Sequence, residues 1–167
     1  MLLTPDYLFS GAAAVTPEFL REHGIRALAL DVDNTLTAHN SQTLPAPVAA
    51  WLEQMKAAGI KLMIVSNNTR KRVSPFAASL GLPFVSLACK PLPWGIRKAA
   101  RQLGVSRREF ALVGDQLFTD RLGGALAGVP VLVVRPMAPE IKWGIKVRRH
   151  LEKPFIRRYY KKGGKLL

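Results

Sequence analysis

Two aspartates lie two residues apart in Asp31-Val32-Asp33-Asn34-Thr35, directly after the apolar run Ala27-Leu28-Ala29-Leu30. Side chains two apart in an extended segment share a face, so both carboxylates can point into one crevice. There they repel, which raises one of their pKa values unless a hard cation such as Mg²⁺ relieves the repulsion. Three further polar clusters follow apolar runs in the same way. Ser66-Asn67-Asn68, after Ile64-Val65, offers a hydroxyl and loop amides, groups suited to phosphate oxygens. Lys90, in Cys89-Lys90-Pro91, offers a positive charge after Phe84-Val85-Ser86. Gly114-Asp115-Gln116-Leu117-Phe118-Thr119-Asp120 adds two carboxylates after Phe110-Ala111-Leu112-Val113. Each cluster alone is a weak signal; the order and placement of all four after apolar runs is what sets them apart.

The elements that must carry these groups alternate along the chain. Strands are expected at residues 26–31, 61–65, 84–86, 110–113 and 130–134. Helices are expected at residues 45–58, 69–80, 92–103 and 119–127, ended by Gly59, Gly81, Gly104 and Gly128 respectively. A shorter helix opens at Thr16-Pro17-Glu18, where a cap, a first-turn proline and a first-turn acid coincide. This alternation predicts an α/β fold with a doubly wound, parallel, five-stranded sheet. Right-handed crossovers then bring the carboxyl ends of all strands, and the four clusters with them, to one edge.

With 167 residues the chain is expected to form a single domain, 1–167, with its core at about 25–135. One cysteine, Cys89, excludes an internal disulfide, and with three histidines it excludes a Cys-rich zinc module. No apolar run reaches the roughly 18–20 residues of a membrane span. The first residues lack the basic region of a secretory signal, so the cytoplasm is the expected compartment. Charge is uneven: residues 1–139 hold 15 basic and 9 acidic groups, residues 140–167 hold 10 and 2. This tail also carries Trp143, Phe155, Tyr159 and Tyr160, and a basic helix is expected over residues 140–153, interrupted at Pro154. Such a segment suits a polyanion, either an anionic bilayer or nucleic acid. Trp143, Val147 and Leu151 recur at helical spacing and either dock as core or lie in a bilayer interface; the second is favoured. On that view the tail is an appendage whose removal spares hydrolysis of a small soluble ester.

Asp-x-Asp-x-Thr, then Ser, then Lys, then Gly-Asp-x-x-x-x-Asp resembles the haloacid dehalogenase (HAD) superfamily over roughly residues 25–134. The strings Leu30-Asp31-Val32-Asp33-Asn34-Thr35-Leu36, Val65-Ser66-Asn67-Asn68, Lys90-Pro91 and Gly114-Asp115-Gln116-Leu117-x-Thr119-Asp120 look like its subclass IIIA, the capless YqeG branch. That branch is similar to the phosphatidylglycerophosphate phosphatases of mitochondria and plastids. The resemblance implies a HAD-like Rossmannoid fold with Asp31 as nucleophile and Asp33 as general acid/base. It implies Mg²⁺ held by the Asp31 carboxylate, the Asp33 backbone carbonyl and Asp115. Ser66 and the Asn67 amide would hold phosphoryl oxygens, and Lys90 would neutralise the phosphoryl charge. Asp120 and Thr35 would support these groups from behind, although Asp120 could equally cap the following helix. The spacings Thr35–Ser66 and Ser66–Lys90 leave no room for a cap domain, so the site is expected to be open to bulky substrates.

The leading expectation is therefore a Mg²⁺-dependent phosphomonoesterase acting on phosphatidylglycerophosphate, peripheral on a membrane through residues 140–167. The alternatives are a soluble nucleotide or sugar phosphatase, or a basic RNA- or ribosome-associated protein with a secondary phosphatase site.

Overall fold

Uninterrupted apolar runs have to be covered on both faces, and a parallel sheet with helices on each side does this. The computed structural model describes residues 2–140 and 142–167. Its strands are β1 (Tyr7–Phe9), β2 (Ala27–Leu30), β3 (Lys61–Val65), β4 (Phe84–Val85), β5 (Phe110–Gly114) and β6 (Val131–Val134). They form a six-stranded sheet in the order β1-β6-β5-β2-β3-β4, with every pairing parallel. The helices are α1 (Pro17–Glu22), α2 (Ala46–Ala57), α3 (Arg70–Ser79), α4 (Trp94–Leu103), α5 (Leu122–Ala127) and α6 (Trp143–Lys161). The Thr16 hydroxyl caps α1 by accepting from the Phe19 N–H at 3.1 Å.

Alternation along β2 shows how the two apolar layers arise. Leu28 and Leu30 join a cluster with Trp51, Leu52 and Met55 of α2 and Val73 and Phe76 of α3. Ala27 and Ala29 face the other cluster, with Ile96, Ala99 and Ala100 of α4 and Tyr159 of α6. Register then places the chemistry. Leu30 pairs with Ile64 on one side and Val113 on the other, so Asp31, Ser66 and Asp115 leave the sheet at the same edge. The chain leaves β2 toward β3 and later returns on the opposite flank through β5. Such a switch point opens a crevice at the strand ends.

Two expectations need correction. The sheet has a sixth strand, β1, whose three residues are too short to show a period. It pairs with β6 and receives the chain end, with the Leu167 N–H donating to the Leu8 carbonyl at 2.9 Å. The tail helix runs over Trp143–Lys161, through Pro154, rather than stopping near residue 153; the expected start at residues 140–141 partly lies outside the described residues. Proline removes one helical donor, but Phe155, Ile156 and Tyr159 pack on the sheet beyond it and carry the helix across. Gly164 lies flat on the Tyr159 ring, where a Cβ would come within 2.6 Å of it. The second half of the tail is thus anchored to the core through Phe155, Ile156 and Tyr159, while Trp143 and Leu151 stay exposed at 78% and 54%. A large apolar side chain contributes about 1.5–3 kcal/mol when fully buried. Deleting residues 140–167 is accordingly expected to lower the melting temperature by about 5 °C or more, checked by calorimetry.

Candidate active site

Asp31 continues β2, its N–H donating to the Val113 carbonyl at 2.9 Å. The chain then curls tightly. The Val32 carbonyl accepts from the N–H groups of Thr35, Leu36 and Thr37, and Asn34 takes a left-handed φ of 60° that Asn tolerates better than most residues. This curl sends the two aspartates to different partners. Asp33 Oδ1 accepts from the Asn40 N–H at 2.8 Å and from Arg72 at 3.2 Å, while Oδ2 accepts from the Asn68 amide. Arg72, part of the basic run Arg70-Lys71-Arg72, is therefore turned inward to the first motif.

Lys90 is buried between two carboxylates, its Nζ 2.6 Å from Asp31 Oδ1 and 2.7 Å from Asp120 Oδ1. Asn67 fixes the loop that delivers it. Its Oδ1 accepts from the Lys90 N–H at 2.6 Å and its Nδ2 donates to the Lys90 carbonyl at 2.8 Å. The Asn67 side chain is thus a brace for Lys90, a role distinct from the phosphate contact expected of its main-chain amide. Ser66, buried beside it, accepts from the Asn68 N–H at 3.1 Å.

Asp115 and Asp120 come from the end of β5 and from a short π-helical turn, Leu117–Arg121, that folds Asp120 back. Wide turns of this kind often re-aim a functional side chain. Asp120 Oδ2 accepts from the Gln116 N–H at 3.1 Å, so Asp120 is tied to its own loop as well as to Lys90. Thr35 donates to Asp115 Oδ1 at 3.3 Å. Carboxylate oxygens of Asp31, Asp115 and Asp120 lie within 4.8 Å of one another. Three hard oxygen donors at that spacing fit a small divalent cation. The Asp33 carboxylate is not part of this group and is held by Asn40, Asn68 and Arg72.

Gly114 permits the arrangement. A Cβ there would meet the Asp120 carboxylate, only 2.6 Å from Oδ2. Gly114→Ala is expected to displace Asp120 and Lys90 together. Phosphate release should fall about 10²-fold or more, since misplaced catalytic groups lose on that scale. Steady-state kinetics on a soluble monoester checks this, and an unchanged rate would show that Asp120 does not position Lys90.

Besides Arg72, residues that spacing did not identify come from the tail. Arg149 of α6 donates to the Asp115 carboxylate and carbonyl, and it also pairs with Glu140 and Glu152 at 3.1 Å each. Glu140 accepts from the Asn34 amide at 2.9 Å, and Glu152 accepts from the Leu117 N–H at 2.7 Å. The expected open site is therefore walled on one side by the segment after β6. A signal existed in the sequence. Glu140 and Glu152 are the only acids in a strongly basic tail, and both flank Arg149.

Burial dominates the electrostatics. It raises the Asp31 carboxyl to about 6, with Lys90 pulling against it and Asp120 adding to it. Burial also raises Asp115 well above the usual carboxylate range, although Arg149 opposes it. For Lys90 burial disfavours the charge, but Asp120 and Asp31 outweigh it and hold the ammonium above its ordinary value. Buried polar atoms are normally paired. Among the described residues, the buried side-chain atoms without a partner belong to Asn34, His39, Arg72, Gln116 and Arg149. All of these sit in or against the motif loops.

Known proteins share this construction. Residues 41–128 match the family model for haloacid dehalogenase-like hydrolases, and residues 3–75 match that for mitochondrial PGP phosphatase. The chain is 33% identical over 159 residues to the probable phosphatase YqeG of Bacillus subtilis, covering 95% of this chain and 92% of that protein. It is 25% identical over 156 residues to phosphatidylglycerophosphate phosphatase 1, chloroplastic/mitochondrial, of Arabidopsis thaliana, covering 87% of this chain and 45% of that protein. In fold it resembles the cobalt-bound deoxy-D-mannose-octulosonate 8-phosphate phosphatase of Haemophilus influenzae, with a TM-score of 0.55 at 19% identity over 76% of this chain and 75% of that one. With the aspartates, the buried lysine and the parallel sheet all in place, the chain belongs to the haloacid dehalogenase-like hydrolases and is a phosphoric monoester hydrolase.

Proposed function

We propose that the protein is a Mg²⁺-dependent phosphatase that works through an aspartyl-phosphate and takes phosphatidylglycerophosphate at a membrane surface. The observation that carries the chemistry is the buried Lys90 held between Asp31 and Asp120, beside Asp115, at the carboxyl edge of the sheet. An Asp31 oxygen attacks phosphorus while the ester P–O bond breaks, and Asp33 gives its proton to the departing alkoxide. Asp33 then takes a proton from water as that water attacks phosphorus, releasing inorganic phosphate and restoring Asp31. Lys90 neutralises Asp31 and the phosphoryl oxygens, while Ser66 and the Asn67 amide hold those oxygens. Asp31, Asp115 and the Asp33 carbonyl would hold Mg²⁺, which supplies charge neutralisation at the phosphoryl group. Domain 1–167 acts as one unit here, since α6 contributes to the site.

The lipid substrate is supported by the likeness to a phosphatidylglycerophosphate phosphatase and by the outer face of α6. Trp143, Val147 and Leu151 are exposed on it beside Lys142, Lys146 and Arg148. No helix among the described residues is long and apolar enough to cross a membrane. An amphipathic surface of this kind suits a peripheral contact on the cytoplasmic side, where each basic residue contributes about 1 kcal/mol. The test is phosphate release with Mg²⁺ from the lipid monoester in micelles and from soluble nucleotide and sugar monoesters. Preference for a soluble ester would contradict the lipid assignment, and salt-sensitive retention on ribosomes would favour an RNA partner. Flotation should show binding to anionic vesicles, weakened by salt and by Trp143→Ala with Leu151→Ala, and little binding to neutral ones.

A further inference from the structure

Lys90 serves two of the clustered carboxylates, those of Asp31 and Asp120, and does not reach the third. Asp115 takes its positive charge from Arg149 instead, on a different element. We propose that Arg149 is an in-chain counter-ion that competes with the divalent cation for Asp115 and so sets the affinity of the site. The inference rests on the reading of the aspartate cluster as a cation site.

Charge balance gives the reason for such a group. Asp31, Asp33, Asp115, Asp120, Glu140 and Glu152 are set against Lys90, Arg72 and Arg149, which leaves negative charge in excess. A buried carboxylate without a partner is costly, so a cation of the chain's own holds Asp115 when no metal does. A guanidinium and a divalent ion on one carboxylate repel each other, and the burial of Asp115 strengthens that repulsion.

The attachment of Arg149 suits a group that leaves. Its Nη groups are bonded to Asp115, Glu140 and Glu152, while its Nε is buried without a partner among the described residues. It stands between a cavity of about 320 Å³ beside Leu117 and Ile156 and one of about 430 Å³ beside Pro139 and Lys146, which gives the side chain room to move aside. The half of α6 that bears it leaves Trp143, Val147 and Leu151 exposed, whereas the anchoring contacts of Phe155, Ile156 and Tyr159 lie beyond it. Once released, Arg149 keeps Glu152 as its partner on the same helix.

The full-length protein and its Arg149→Gln variant, titrated with MgCl₂ in a calorimeter, test this. The variant should bind Mg²⁺ about tenfold more tightly, or more, because the competing charge is gone. In EDTA the variant should melt below the wild type, and saturating Mg²⁺ should raise its melting temperature by the larger amount. Equal or weaker Mg²⁺ binding by a folded variant overturns the proposal, since a guanidinium that orients Asp115 for the metal would give that result. Should the variant not fold, hydrogen exchange on the wild type decides. Mg²⁺ should speed exchange of the amides around residues 145–151, and unchanged protection there overturns the proposal. Absence of Mg²⁺ binding by both proteins would remove the cation site itself, a failure distinct from equal binding.

Discussion

Replacing Asp31 by Asn is expected to bring phosphate release down to the uncatalysed background. The amide cannot form the acyl-phosphate, and loss of a covalent nucleophile typically costs on the order of 10⁴–10⁶-fold. The variant should still fold. Its amide oxygen can accept from Lys90 at the position of Asp31 Oδ1, and burial already disfavours the charge that is lost. Asp33→Asn is a different lesion, since proton transfer fails while the nucleophile remains, and the expected loss is about 10²–10⁴-fold. A rate in Asp31→Asn within tenfold of wild type would contradict covalent catalysis at this residue.

Lys90→Met carries the second large expectation, and it falls on both stability and rate. The ammonium is the ion-pair partner of two buried carboxylates, at 2.6 and 2.7 Å. Removing one member of a buried ion pair costs about 3–5 kcal/mol, because the remaining charge is left uncompensated. In EDTA the melting temperature should drop by about 10 °C. The rate should fall about 10²–10³-fold even where the protein is folded, as for loss of a charge-stabilising donor. Thermal denaturation and single-turnover kinetics on the same preparation separate the two effects. A melting temperature equal to that of the wild type would mean that the three groups are not ionised together.

Much of the site could be read from the sequence because three of the four motifs directly follow an apolar strand. Once Leu30, Ile64 and Val113 share a register, Asp31, Ser66 and Asp115 must emerge together, and no long-range packing has to be known. Lys90, five residues beyond the end of β4, was legible as a charge in the loop after an apolar run, but the brace that aims it was not. The bonds from the Asn67 side chain to the Lys90 main chain depend on the path of a loop between two elements. Arg72 and Arg149 were hidden by their surroundings. Each stands in a run of basic residues that resembles a solvated face; the two acids of the tail hint at a partner for Arg149, but packing shows which member turns inward. The tail was misjudged for a related reason. Pro154 is a strong local stop, yet burial of Tyr159 and its neighbours outweighs a single missing hydrogen bond. Three residues of β1 carry too little pattern to be seen at all, and they become a strand only because β6 and the chain end flank them.

During turnover the phosphoryl group is expected to pass through Asp31. Rapid acid quench during turnover of a phosphomonoester, followed by mass spectrometry of the digested protein, tests this most directly. One added phosphoryl group should appear on the peptide carrying Asp31, formed before the steady state and absent from Asp31→Asn. Phosphate release at the wild-type rate with no phosphoryl group on that peptide, or with one on another residue, would contradict the account.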